Sequence, residues 1–502
     1  MALRAPWASA CDTTSKNPMD RRSVLKAVAG AAVTYAAGCT RVAPSGRSHL
    51  PSQEEIWDLM LRMNALGPRY TGAPAHHAFI DMIAEGFERL GIAVRSEEQR
   101  FTRWEARRSS LAVTIEGSSP EIIEIASPYP YSAPTPAEGV EGRLVDGGSA
   151  TAPHLPDDLS DAILYLDAPV PTLPFHEWYA NVRVYGDLQA LPESVSHAAA
   201  QIVTAPNLEE YAKRGVKGVI LGWTTLSEAH VRHQYIPFNR PLQSTTGVWV
   251  GPGAAARLKE LARTGARATL TLEAELTPNT TSRTIYAELP GASRELLIVN
   301  THTDGPNAVE ENGPIGLLAL ARRLTQLPAS ERRRSVLFLL ASGHFVGPQV
   351  ASTEGFMKSH PDLLERTAAA LAVEHLGATE WADRPDGTYG PTGLPELSLF
   401  FTKDERLAAH ALAVARAKDP RGAVVDPLEF SHFFGEGRPL ARAGVPTIGF
   451  LPAPSYLLAS PPDGAIDRVD PKLMYAQIEM LAELLDRLDA DQKLSLSGAK
   501  PG

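Results

Sequence analysis

Apolar residues along this chain follow three successive rhythms. In "QEEIWDLMLRMNALG" (53–67) they recur every three or four positions and stop at a glycine, which predicts an amphipathic helix. "PRYTGAPAHHAFIDMIAEGFERLG" (68–91) predicts a turn and a second helix ending at Gly91, and "IAVRSEEQRF" a strand. From about 120 to 277 short β-like runs take over, among them "GRLVDGG", "AILYLDA", "GVKGVILGW", "TTGVWVG" and "RATLTLEAEL", with one helix in "NLEEYAKRGV". From 278 onward strands alternate with helices. "RTIYAELPG", "ELLIVNTHTDG", "RRSVLFLLASGHF", "AALAVEHLG", "ELSLFFT" and "RAGVPTIGFL" read as strands; "GPIGLLALARRLTQL", "STEGFMKSHPDLLERT", "DERLAAHALAVARAK" and "DPKLMYAQIEMLAELLDRL" read as helices. Such alternation predicts an α/β fold whose mostly parallel or mixed sheet is flanked by helices.

The same rhythms set the expected domains. Residues 51–118 open the α/β domain, 119–277 form a mainly-β insert, 278–490 carry the main part of the α/β domain, and 491–502 are a flexible tail. A chain of 502 residues is long enough for two or three domains. Residues 1–50 read as an address and linker. "DRRSVLKAVAGAAVTYAAGC" has twin arginines, Arg21 and Arg22, then an apolar stretch too short to span a bilayer as a mature helix. It resembles a twin-arginine export signal. Its "AAGC" end resembles a bacterial lipoprotein cleavage site, with Cys39 the lipidated residue. The expectation is an exported protein of the bacterial periplasm or cell-envelope surface, tethered to a membrane only through lipid on Cys39.

Charge and cysteine usage narrow the chemistry. The formal net charge of −10, with no basic run, argues against a nucleic-acid partner. The two cysteines, Cys11 and Cys39, both precede the folded body, so a metal there must be held by His, Asp and Glu. Residues of those types gather where "ELLIVN" runs into "THTDGPNAVEENG": His302, Asp304, Glu310 and Glu311. They are either a solvated, charged loop or the holders of a metal ion. His302, His344 and Glu374 each fall at the carboxyl end of a predicted strand, where sites form in open α/β sheets. Strand neighbours face opposite sides, so His375 is expected to point away from Glu374. The pair His76–His77 is expected at the surface.

"NTHTDGPNAVEENGPIGLLALAR" resembles the start of the catalytic core of the M28 family of metallopeptidases: His-x-Asp after a strand, a tandem acid, Asn-Gly and a helix. "LGPRYTGAPAHHAFIDMIAEGFERLGI" resembles the family's opening segment, and "ARAGVPTIGFL" and "DGAIDRVDP" its closing ones. The insert, through "EGRLVDGGSAT", "DAILYLDA" and "AKRGVKGVIL", is similar to the protease-associated domain. The resemblance implies a zinc-exopeptidase-like fold. It also implies metal ligands His302, Glu311 and Glu374, with Asp304 orienting His302. Glu311 and Glu374 stand where the family has aspartates. The family's tandem glutamates, one a general base and one a second-metal ligand, have no counterpart in "LFLLASGHFVGPQVASTEGF", and its last histidine is missing from "SYLLASPPDGAID". His432 is the nearest imidazole to that lost ligand.

The expectation is therefore a metal-dependent peptidase or amidohydrolase of aminopeptidase type with one divalent ion, zinc. His344 or Glu310 would take the proton that the lost glutamate would have taken, and a peptide or small amide would be the substrate. The alternative is a binding protein that has kept the fold and lost the chemistry. Ser342, two residues before His344, lacks a nucleophile-elbow motif and is a weak acyl-transfer candidate.

Overall fold

The computed structural model describes residues 49–494, so the export signal with Cys39 and the tail beyond 494 lie outside the described residues. The two N-terminal helices form as their sequence predicts. In α1 (Gln53–Ala65) Ser52 and Glu55 make a reciprocal cap: Ser52 Oγ accepts from Glu55 N, and Glu55 from Ser52 N. In α2 (Pro74–Arg89) Gly86 faces α3 (Gly313–Thr325), where a Cβ would stand 2.6 Å from Leu318 Cδ2. That close approach buries the apolar faces of both helices.

Thirteen strands carry the site. They are β1 (Val94–Thr114), β2 (Val140–Ser149), β3 (Ala162–Asp167), β4 (Tyr179–Gly186), β5 (Gly218–Gly222), β6 (Thr246–Val250) and β7 (Arg267–Leu289), followed by β8 (Leu296–His302), β9 (Ser335–Ala341), β10 (Thr367–Val373), β11 (Ser398–Phe401), β12 (Arg421–Pro427) and β13 (Thr447–Pro452). All thirteen lie in one sheet, twelve of them in the order β6-β5-β3-β2-β7-β9-β8-β10-β13-β11-β12-β4 and β1 paired to β7 off that path. The central strands β9, β8, β10 and β13 are mutually parallel, so their carboxyl ends share one edge. Period-two alternation divides their residues between two apolar faces. Leu297, Val299, Phe338 and Leu371 face a core shared with α1, α2, α3 and α5 (Pro471–Ala490); Leu296, Ile298, Leu337 and Ala370 face Phe356, Met357, Leu363 and Leu440. Both faces being covered, these strands read as unbroken apolar runs in the sequence.

The expected boundary at 277/278 falls inside one strand. Β7 continues through it, antiparallel to β1. The register shifts between Phe101↔Thr280 and Arg103↔Thr277, one extra residue on the β7 side, where Pro278 has no N–H and Asn279 takes φ 56°. This is a β-bulge, and what the sequence presents as a break is a bend. The β1–β7 ribbon joins the insert to the main sheet. Residues 119–277 supply most of two apolar clusters, one around Leu164, Val219, Trp223 and Trp249 that also takes in Phe345 and Leu458, and one around Ile163, Ile220, Val248 and Leu270 that also takes in Leu111 and Val113. It also sends β4 to the far edge of the main sheet, antiparallel to β12. No helix among the described residues is long and apolar enough to cross a membrane.

One buried acid far from the strand-end edge makes stability depend on pH. Asp419 follows α4 (Glu405–Lys418), is 3% exposed, accepts from Tyr185 OH at 2.7 Å, and has its second oxygen unpaired. Burial pushes its pKa up to about 6. Because this lies above the unfolded value of about 3.9, its contribution to stability is full below that value and is lost as pH rises through 6. Asp419→Asn is expected to remove the loss, gaining at most about 3 kcal/mol at neutral pH. Urea unfolding at pH 4 and pH 7 checks this; an unchanged difference between the two conditions sinks it.

Candidate metal centre

The parallel strands deliver their ends to one buried place. His302 is the last residue of β8, Glu374 and His375 directly follow β10, and His344 follows β9 by three residues. Glu310 and Glu311 arrive on the loop between β8 and α3. That loop is tied by Arg69, whose Nη2 donates to the carbonyls of Asn307 (2.7 Å), Glu310 (3.1 Å) and Glu311 (3.4 Å). The side chains of His302, Glu310, Glu311, Glu374 and His375 are 0–3% exposed, whereas that of His344 is 24% exposed. The solvated-loop reading of this stretch is excluded.

Two backbone carbonyls set the tautomers. His302 Nδ1 donates to Asp304 O at 2.8 Å and His375 Nδ1 to Pro452 O at 2.6 Å. Both Nε2 atoms therefore turn toward the carboxylates. His302 Nε2 lies 3.7 Å from Glu311 and 3.8 Å from Glu374; His375 Nε2 lies 3.3 and 4.0 Å from the same two groups. Donors around a tetrahedral zinc at about 2.0–2.1 Å sit roughly 3.3 Å apart, so this spacing needs little contraction to close. Glu310 bridges the two rings, 3.3 Å from His302 Nε2 and 2.6 Å from His375 Nε2.

The atoms facing the centre are incompletely satisfied. Glu311 Oε2 is buried without a hydrogen-bond partner, and His302 Nε2, His375 Nε2 and Glu310 Oε2 are buried with only the close approaches to and from Glu310 just given, none of good hydrogen-bond geometry. Unpaired buried polar atoms are costly, and a cation among them would satisfy all four. Burial, reinforced by Glu374 and Glu310, pushes Glu311 up to about 8 against the pull of His375 and His302. Burial likewise raises Glu374. The acids Asp304, Glu310, Glu311, Glu374 and Glu436 crowd a region whose permanent cation is Arg69, itself brought down to about 10 by burial. A divalent ion fits this donor set and this charge. His302, Glu311, Glu374 and His375 could hold it, their ligand atoms all lying within 4.8 Å of one another, and His302, Glu310 and His344 form a second such group.

The structure corrects several expectations. His375 points into the cluster because β10 ends at Val373 and His375 takes φ 59°, so strand alternation no longer governs it. His76 is buried, with Nε2 2.8 Å from Thr303 Oγ1, while His77 is half-buried. Asp304 holds the His302 ring through its carbonyl; its carboxylate is 3.5 Å from Nδ1 and accepts from Thr71 Oγ1 and from Phe345 N at 3.0 Å. His432 stacks on Trp178 at 4.9 Å and is not among the converging donors. Ser342 is buried, its hydroxyl 2.7 Å from that of Ser282.

No protein-family model matches the sequence, and no curated protein matches it. Solved structures do match, with the likeness lying in the fold. A peptidase M28 precursor from Shewanella amazonensis superposes with a TM-score of 0.62 at 17% identity, over 90% of this chain and 99% of that one. BSAP, a zinc aminopeptidase from Bacillus subtilis, gives 0.59 at 15% identity, over 88% and 96%. An aminopeptidase from Aneurinibacillus sp. strain AM-1 gives 0.59 at 16% identity, over 90% and 96%. The chain has the fold of M28 zinc aminopeptidases, a mixed α/β sheet flanked by helices.

Proposed function

We propose that this protein is an exported metal-dependent hydrolase that cleaves an amide bond in a peptide or a small amidated compound. The observation that carries the reading is the buried convergence of His302, Glu311, Glu374 and His375, with both Nε2 atoms turned in toward the carboxylates. The donor set suits a single zinc ion. Such an ion, when bound, polarises the scissile carbonyl and makes water acidic enough to attack.

The chain's own residues supply the rest. The Asp304 and Pro452 carbonyls hold both rings with Nε2 inward, and Arg69 fixes the loop bearing Glu310 and Glu311. His344 and Glu310 are the groups within reach to take the water's proton. Substrate approaches from the His344 side, the exposed one. There the insert crosses the core: Gln234 bridges Ala459, Tyr235 N donates to Leu458 O at 2.8 Å, and the Phe238 ring lies 5.1 Å from His344. The insert thus forms one wall of the approach and shapes what enters. Hydrolysis of a panel of aminoacyl-p-nitroanilides, abolished by a chelator and restored by zinc, is the expected result.

The near-complete burial of the cluster also favours a second reading, a binding protein that keeps the ion and has lost turnover. Fully metallated protein that cleaves nothing on the panel would decide for it. We further propose export with lipidation at Cys39, on the twin arginines and the "AAGC" sequence. Wild type is then expected in the membrane fraction and Cys39→Ser in the soluble one; identical fractionation and processed length refute the anchor.

A further inference from the structure

Glu436 stands far along the chain from the His302 segment, yet it touches both His344 and Glu374. Its side chain is 5% exposed. One oxygen accepts from His344 Nδ1 at 2.8 Å and from Ser352 Oγ at 3.1 Å; the other accepts from Thr353 N at 3.4 Å. Its backbone N–H donates to Glu374 Oε1 at 2.7 Å, and its carbonyl accepts from Asn300 Nδ2 at 3.1 Å. The residue is therefore held from every side, and its position relative to the donor set is fixed.

An ionised carboxylate only accepts, so the hydrogen in the His344–Glu436 bond sits on Nδ1, and in the neutral ring it is Nε2 that carries the lone pair. The His344 ring stacks on His302, centroids 4.1 Å apart and planes 8° apart. It is also the open member of the cluster. A partly open imidazole, stacked on His302 and with a ring nitrogen within 4.8 Å of the His302 and Glu310 ligand atoms, is close enough to the donor set to take a proton there. The loop after β9 offers no glutamate for that task before Glu354, whose side chain is 54% exposed and paired with Lys358.

We infer that His344 Nε2 is the catalytic base and that Glu436 is the positioning residue that holds it in this tautomer and orientation. The inference rests on the hydrolase reading above. In the reaction, water's oxygen bonds to the carbonyl carbon and its proton moves to His344 Nε2. That proton then passes to the amide nitrogen as the C–N bond breaks, and the amine leaves. His344 returns to its starting state, Nδ1–H still on Glu436. No oxidant or further reactant is consumed.

The test uses zinc-loaded full-length protein with Glu436→Gln, Glu436→Asp, His344→Gln and the Glu436/His344 double variant. Metal content, kcat and KM on the p-nitroanilide panel, and the 15N imidazole signals of His344 are measured together. Expected are metal content equal to wild type and kcat lowered by about 10²–10⁴ in His344→Gln. Glu436→Gln should lose kcat in the same direction with KM little changed, and Glu436→Asp should recover part of it. The double variant should be no worse than His344→Gln alone, because the two residues act as one unit. Metal loss in Glu436→Gln would make Glu436 a support for Glu374 instead, and additive losses would separate the pair; either overturns the inference. So does an Nε2–H tautomer for His344 in wild type. Wild type that is fully metallated but cleaves nothing removes the hydrolase reading and the base role with it, a result distinct from both.

Discussion

Protein purified without chelators is expected to carry about one divalent ion per chain, and His302→Ala or His375→Ala to carry none. Three or more protein ligands are the usual minimum for zinc, and each substitution removes one of the two imidazoles from a four-donor set. The carboxylates left behind cannot make up the loss, since Glu311 Oε1 already accepts from Gly313 N and His375 N, and Glu374 Oε1 from Glu436 N. His432→Ala should leave the content unchanged, because its ring is stacked on Trp178. Elemental analysis of the four proteins decides the matter. A ratio of two would mean that Glu310 and His344 build a second position beside the first. A ratio of zero in zinc- and manganese-replete medium would refute the hydrolase reading.

Arg69→Met is expected to cost about 3–5 kcal/mol, the range for breaking a buried charged interaction by removing one partner. The Arg69 side chain is fully buried, packs 5.2 Å from the Phe79 ring centre, and ties three carbonyls of the Asn307–Glu311 loop. Methionine fills similar volume but leaves those carbonyls without their donor and the acidic cluster without its nearest permanent cation. Arg69→Lys should recover only part of the loss, since an ammonium cannot reproduce the planar fork. Urea unfolding measures both. A loss below about 1 kcal/mol in Arg69→Met, the size of an exposed ion pair, would show that the loop is held by other contacts.

Much of the architecture was legible because burial on both sheet faces writes itself as apolar runs. "ELLIVN", "SVLFLLA" and "AALAV" became three of the four central parallel strands for that reason. His302, His344 and Glu374 were legible as site candidates because each falls at a strand end, a known edge of such a sheet, whereas Glu311 as a ligand came only with the resemblance to the M28 family. His375 was not legible. Whether it faces in or out depends on where β10 stops, and the left-handed turn after Val373 has no marker in "VEHLG". Glu436 and His76 were invisible for another reason: nothing near either in sequence shows the partner that buries it.

The sequence by itself determined the class of fold and most of the helices and central strands, and it placed His302 and Glu374 at strand ends; the strands Tyr179–Gly186 and Arg421–Pro427 it did not show. What it determined follows from local periodicity and from residue type at strand ends, both short-range properties. Only the tertiary structure decided that β7 is one bent strand rather than two, that His375 turns into the buried His/Glu cluster, and that His344 is paired with Glu436. Those depend on pairings between residues far apart in the chain, Phe101 with Thr280, His375 with Pro452, Glu436 with His344, and distance along a sequence holds no record of distance in space.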